Sequence, residues 1–420
     1  MSGASGNTIV VASPGLKAYA FMMTVLLAAG CSHILFPGFR QQWQQVRLGH
    51  SLVYAYNGDS GEYARLVATF PQGFKTGYVR ILRPLYPALG FVVYQPLRLL
   101  KSRIPESLSE KARSVLAQGS RSEMWEGLDP RDLIAAWAAL IVVNFMIYLA
   151  AFGLVVRFLS SMFPLNVAMV LAAYPAVHHS TIDFLLIPGA DPLNVLLPAI
   201  FLYALAHWPK KRAGYLAALA MGTGMLGKGL LAPFGNWLYE HMVVRGWRQG
   251  MRAAVLCCVL FVTPMLLYLA LLKLLEMPVY NHEATGDRQF LWLGDYVLEG
   301  KARAIPMQIW KNLIGHASLV VEGMAIPLAL CAVLAFRRDR GTVVLDSDVK
   351  RHLVVYVVCA TAFFVIGRII FGRLSIVYYP AVVVLLGVLA VRKSTRPVTW
   401  LLLGIVASLL LSSAPSLLAQ

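Results

Sequence analysis

Long apolar runs, separated by short basic stretches, recur along this chain. They fall at Leu16–Phe36, Leu133–Val156, Leu165–Val177, Leu193–Trp208, Ala213–Leu226, Leu230–Val244, Ala253–Leu272, Ala317–Phe336, Leu353–Ile366, Ile376–Val391 and Val398–Leu411. They are rich in Leu, Val and Ala and lack two-residue alternation, which predicts helices and not barrel strands. About 18–20 apolar residues carry a helix across a bilayer. The pattern therefore predicts an all-α polytopic membrane protein with about eleven transmembrane helices, roughly ten to thirteen depending on how the shorter runs divide. No internal repeat and no second soluble domain interrupts it, so residues 1–420 read as one membrane domain. The first run is long for a cleavable signal and is followed by Pro37 and Arg40, so it is expected to stay as an anchor.

Two polar stretches are long. The first covers residues 38–131 and the second residues 273–315. Within the first, Tyr78–Leu100 is partly apolar but carries Pro84, Pro87 and Pro96 and is flanked by Arg80, Arg83 and Arg98. That mixture predicts helices lying at the membrane interface. Basic residues fix the expected orientation. With a cytoplasmic N-terminus, Arg157, Lys210–Arg212, Arg245–Arg252, Arg337–Arg351 and Arg392–Arg396 all fall on the inner side. This is the positive-inside pattern, and it places both long loops outside the plasma membrane.

Composition agrees with the pattern. Hydrophobic residues make up 58% and charged residues 14% of the chain, against about a quarter charged in a soluble domain. The net charge of +17 sits mostly beside apolar runs, which assigns it to topology and anionic lipid rather than to nucleic acid. The five cysteines, Cys31, Cys257, Cys258, Cys331 and Cys359, are scattered through apolar runs without metal spacing. They read as small buried hydrophobes. No phosphate-binding glycine loop, Rossmann glycine fingerprint or zinc-protease motif is present, so a nucleotide-driven reaction is not expected, no cofactor is assigned, a metal is possible but not favoured, and the energy must come from an activated lipid or an ion gradient.

Four segments carry chemistry. Asp59, within Asn57-Gly-Asp-Ser-Gly-Glu-Tyr63, precedes a helical run in which Tyr63, Leu66, Val67 and Phe70 share a face. It reads as an N-cap or as a carboxylate base at the membrane surface. Arg80 and Arg83 open the interfacial stretch, where they either snorkel to headgroups or bind phosphate. Lys228 interrupts an apolar stretch in Met225-Leu-Gly-Lys-Gly-Leu-Leu-Ala-Pro233, and Arg373 does so in Gly372-Arg-Leu-Ser-Ile-Val-Tyr-Tyr-Pro380. With Arg368 they place a ring of cations on one membrane face, suited to a lipid-linked phosphate. His178 and His179 end a span, and adjacent histidines on a helix diverge, which disfavours a metal site. Asp191, ahead of Pro192, reads as an N-cap.

The order of these segments resembles the GT-C superfamily of membrane glycosyltransferases, which includes protein O-mannosyltransferases and aminoarabinose transferases. Asp59-Ser-Gly-Glu62-Tyr63 resembles the family's acidic first-loop motif, with Ser60 in place of a second acid. Arg83-Pro-Leu-Tyr86-Pro87 resembles its Arg-Pro-rich segment. Leu226-Gly-Lys228-Gly229 and Arg373 through Pro380 resemble its later basic segments, with Leu374 in place of Tyr. The resemblance implies an inverting transferase that uses a polyprenyl-phosphate sugar donor, with a lipid, glycan or protein acceptor, in the inner membrane of a bacterium. It implies Asp59 as general base and Arg83, Lys228 and Arg373 on the donor phosphate. Arg80, Glu62, Tyr63, Tyr86, His178 and Asp191 would support them. Two rivals remain at this point. One is a transporter or flippase of an anionic lipid-linked substrate. The other is a polysaccharide polymerase or ligase with a diphosphate-linked donor, in which His282 and His316 would act.

Overall fold

The structure, a computed structural model, describes residues 15–35, 44–48, 51–56, 58–76, 82–110, 127–206, 211–227, 247–277, 288–340, 345–369 and 372–413, with isolated positions 235, 279 and 343. It is helical apart from one antiparallel hairpin, β1 (Gln44–Leu48) and β2 (Ser51–Tyr56), in the first long loop. The helices are α1 (Leu16–Leu35), α2 (Gly58–Ala68), α3 (Leu85–Arg98), α4 (Pro130–Leu159), α5 (Leu165–Ala173), α6 (His179–Phe184), α7 (Leu193–Ala206), α8 (Lys211–Met225), α9 (Trp247–Leu274), α10 (Trp292–Leu298), α11 (Ile305–Gly323), α12 (Ala325–Ala335), α13 (Ser347–Gly367), α14 (Tyr379–Lys393) and α15 (Pro397–Ser413).

Among the described residues, four helical segments are long and apolar enough to cross a membrane, Pro130–Leu159, Gly250–Leu274, Ser347–Gly367 and Gly372–Lys393, or five if the bent pair described below is one span. Four shorter apolar helices accompany them, Leu16–Cys31, Leu165–Val177, Leu193–Leu205 and Pro397–Leu411. The expected span Leu230–Val244 lies outside the described residues. On α9, Val255, Val259, Val262, Leu266 and Leu267 are exposed. Such an outward apolar face costs nothing against lipid tails. These features fit a multi-pass membrane protein.

The central post is α4. Asp129 caps it by accepting from the Arg131 N–H at 2.9 Å, and Pro130 occupies the first helical position, where no N–H is needed. Thirty residues rise about 45 Å. The α3 helix runs antiparallel beside the first half of α4. Tyr94 donates to Asp132 at 2.6 Å near its start, and Tyr86 donates to Asn144 at 2.7 Å near its middle. Between them Gly90 lets Leu140 and Val67 close in, where a Cβ would sit 2.5 Å and 2.7 Å from their methyl groups. The three prolines of this stretch stand before α3, in its first turn and near its end, so they bound one helix rather than break it. Fourteen residues reach about 21 Å, too short to cross a hydrocarbon core of about 30 Å.

The expected single span Ala317–Phe336 is two helices. The chain bends 78° between Ala302–Gly323 and Ala325–Ala335, and α11 begins at Ile305, inside the expected second loop. A Cβ at Gly323 would overlap the Ser375 hydroxyl and lie 3.1 Å from His179. The break is therefore where α11 meets a neighbouring segment at backbone distance, a contact a uniformly apolar run does not announce.

The basic loops gather at one end. Arg157 lies 6.0 Å from the Tyr203 ring, where α4 and α7 finish. Asp339 pairs with Lys393 at 2.8 Å and Arg392 at 2.9 Å, the Arg340 N–H donates to the Arg392 carbonyl, and Arg337 lies 4.8 Å over Trp400. The hydrogen bond from Lys393, with help from Arg392, holds the Asp339 carboxyl below the usual carboxylate range. All five cysteines are free, and Cys31 is exposed rather than buried, on an apolar helix with an outward face.

Candidate functional site

Some of the segments that carry predicted residues come together beside the middle of α4. Asp59 lies in the first turn of α2, whose backbone is described and whose Asp59 side chain is not. Of the predicted face, Tyr63, Leu66 and Val67 are each at 1% exposure or less, while Phe70 lies beyond the end of α2 and is half-buried. Glu62, expected on another part of the turn, is also buried, as is Ser60. The Tyr63 ring meets Tyr86 edge-on with centroids 5.0 Å apart, which ties the acidic motif to the start of α3. Arg83 stands two residues before α3 and is half-buried.

The Leu85 N–H donates to the Leu226 carbonyl at 3.2 Å. A Cβ on Gly227 would overlap Leu193 and approach Leu85 to 3.6 Å. The chain leaving α8 thus threads between the starts of α3 and α7. Lys228, the next residue, lies outside the described residues, as do Arg80 and His282.

Across from these residues is a 3-10 helix of just over two turns, Gly372–Tyr378. It carries Arg373, whose Nε lies 3.7 Å from Asp191 Oδ1 and whose guanidinium carbon lies 5.3 Å over the Phe184 ring. Asp191 was expected to cap α7. Its Oδ1 accepts from the Asn194 side-chain amide at 3.4 Å, a side-chain contact and not a backbone cap, and its carboxylate faces Arg373, 182 positions along the chain. A guanidinium carries five N–H donors in a fork, so one carboxylate anchors it without exhausting it.

A hydrogen-bonded staple, absent from the sequence reading, holds the segment that carries Asp191. The Tyr86 hydroxyl accepts from the Gly189 N–H at 3.0 Å and donates to Asn144 Oδ1. The Asn144 amide nitrogen faces the carbonyls of Phe184, Leu185 and Ile187 at 3.1, 3.3 and 3.3 Å. Asn144 is fully buried in an otherwise apolar run, and that isolation in the sequence is the signal that could have found it. A buried amide persists where backbone carbonyls outside a helix ladder need donors.

Other expected residues sit elsewhere. His178 caps α6, with Nδ1 near the Ser180 N–H and hydroxyl and Nε2 3.0 Å from Ser375 Oγ. Both of its ring nitrogens are thereby engaged, which fits a structural role. His316 is buried and bonds Tyr378 at 2.7 Å, and Tyr378 bonds Thr361 at 3.0 Å. Arg368 closes α13 in a left-handed conformation, φ 56°, and is exposed. It forms no ion pair with the Asp191 group among the described residues. An Asp-x-Asp pair that the sequence reading passed over, Asp346–Asp348, caps α13 at the basic end, Asp346 accepting from the Asp348 N–H at 2.7 Å. No group of three or more His, Cys, Asp or Glu placed to hold a metal occurs among the described residues. No family model, characterised protein or solved structure matches the chain.

Proposed function

We propose that this chain is a GT-C-type glycosyltransferase that moves a sugar from a polyprenyl-phosphate donor to an acceptor hydroxyl at the outer face of a bacterial plasma membrane. One observation carries the reading. The segments bearing Asp59, Arg83 and Arg373, and the backbone leading to Lys228, meet around Tyr86, Leu85 and Asp191.

In this mechanism Asp59 takes the proton of the acceptor hydroxyl as its oxygen attacks the anomeric carbon. The bond from that carbon to the phosphate oxygen breaks on the opposite face, so the configuration inverts. The electron pair leaves with the phosphate, whose growing charge is met by Arg83, Lys228 and Arg373. Asp191 and the Phe184 ring hold Arg373 in place, and Tyr63 and Tyr86 pack and position.

The test is Asp59→Asn in purified protein supplied with a polyprenyl-phosphate sugar. Turnover is expected to fall by at least ~100-fold, the order that a positioned general base contributes. Unchanged turnover removes Asp59 as the base. A second reading, a transporter of an anionic lipid-linked substrate, gains support from the broken α11–α12 pair, since broken helices build substrate sites in transporters. Product analysis separates the two, because a transporter returns the donor with its glycosidic bond intact.

A further inference from the structure

A cavity of about 270 Å³ lies at the α11–α12 break, walled also by the segments 174–179 and 376–383 and by α15. Its lining is mostly apolar, including Val177, Ile326, Ile376 and Val383, and it carries one acidic side chain, Glu322. Glu322 sits within the apolar sequence Ala317–Phe336, and no ion pair or side-chain hydrogen bond engages it among the described residues. Glu322 is exposed at the edge of the cavity, so its carboxylate is open to a cationic group whose apolar stem the cavity walls accept.

We propose that this cavity binds a membrane lipid with a primary-ammonium headgroup, the ammonium at Glu322 and the first part of the apolar chain along Val177, Ile326, Ile376 and Val383. A hydrated metal ion fits poorly, because hard cations take six or more oxygen ligands and these walls are apolar. An anionic headgroup is repelled by the carboxylate. An organic ammonium on an apolar stem satisfies both surfaces.

The full chain is purified, reconstituted in nanodiscs of equal phosphatidylethanolamine and phosphatidylglycerol, re-extracted, and its retained lipid measured by native mass spectrometry. Wild type is expected to retain phosphatidylethanolamine over phosphatidylglycerol by about tenfold, roughly 1.4 kcal/mol of preference. Glu322→Gln is expected to lose that preference and Glu322→Asp to keep part of it. Val383→Trp, which fills the cavity and leaves the carboxylate, is expected to lose retention while the protein still elutes as a single species. Equal retention of both lipids by wild type overturns the proposal, as does full retention by Glu322→Gln. Displacement of the lipid by free ethanolamine at equal concentration overturns the lipid assignment.

Discussion

Replacing Asn144 by Leu tests the staple that holds the candidate site. The two side chains have similar volume, so the change removes hydrogen bonds and leaves the packing of α4 nearly intact. Asn144 accepts from Tyr86 and its two amide protons serve three carbonyls at 3.1–3.3 Å, so at most three good bonds are lost at once. Hydrogen bonds between helices in membranes average about 0.6 kcal/mol and reach about 1.7. That average is low because freed groups usually find other partners. Here the stranded acceptors lie on the 184–187 segment and are buried with it, so the upper part of the range applies. The expected loss is about 2–4 kcal/mol. Equilibrium unfolding in mixed micelles with rising SDS fraction reads it, and a double-mutant cycle with Tyr86→Phe should give a coupling of about 0.5–3 kcal/mol. Unfolding of Asn144→Leu within about 0.5 kcal/mol of wild type, the range of an ordinary surface substitution, would refute the reasoning.

Further outcomes follow from the same contacts. Arg373→Lys keeps the charge but loses the planar fork that Asp191 and Phe184 hold, so donor turnover should fall by at least ~10-fold while unfolding barely shifts; equal turnover in a radiolabelled-donor assay would count against the phosphate role. Gly90→Val should cost about 1–3 kcal/mol by overpacking against Leu140 and Val67, measured as a lower thermal midpoint in detergent. Asp339 has its carboxyl held below its ordinary value by Lys393 and Arg392, so its stabilising contribution is present above the ordinary carboxylate pKa and is lost as pH falls through the lower folded value. Exchange protection of the Arg340 amide, bonded to the Arg392 carbonyl, should therefore drop in acid and should lose that pH dependence in Asp339→Asn.

What the sequence made legible was whatever periodicity and charge can encode. The long apolar runs around α4, α9 and α13 emerged as helices, and the Tyr63–Leu66–Val67 face is buried as its spacing predicted. Among the described residues, Arg157 and the Asp339–Arg392 group lie at helix ends away from the segments of Tyr63, Tyr86 and Arg373. Contacts between distant residues were not legible. The Asp191–Arg373 pair joins α7 to the segment before α14, and no local pattern relates them. The bend at Gly323 arises where Ser375 and His179 press on the backbone, so a window average over Ala317–Phe336 reports only apolarity. The β1–β2 hairpin was missed because Gln44–Leu48 alternates weakly and the flanking stretch is polar. Asn144 and Glu322 were visible as lone polar residues in apolar runs, and each lies at a junction between elements.

The length of α4 couples the site to the bilayer itself. Asp132 is fixed near one end by Lys101 at 2.8 Å and by Tyr94, and Arg157 closes the other end. The helix between them rises roughly 37 Å, several ångströms more than a hydrocarbon core of about 30 Å. A helix with two polar anchors and excess length tilts to bring both ends to the interface, and its tilt answers to membrane thickness. Because α3 is stapled along α4, and Asn144 grips the loop behind Asp191, a change of tilt carries Tyr86 and the Asp191 loop with it. Acyl-chain length thus becomes a dial on the geometry of the site, with shorter lipids inclining α4 and longer ones standing it upright.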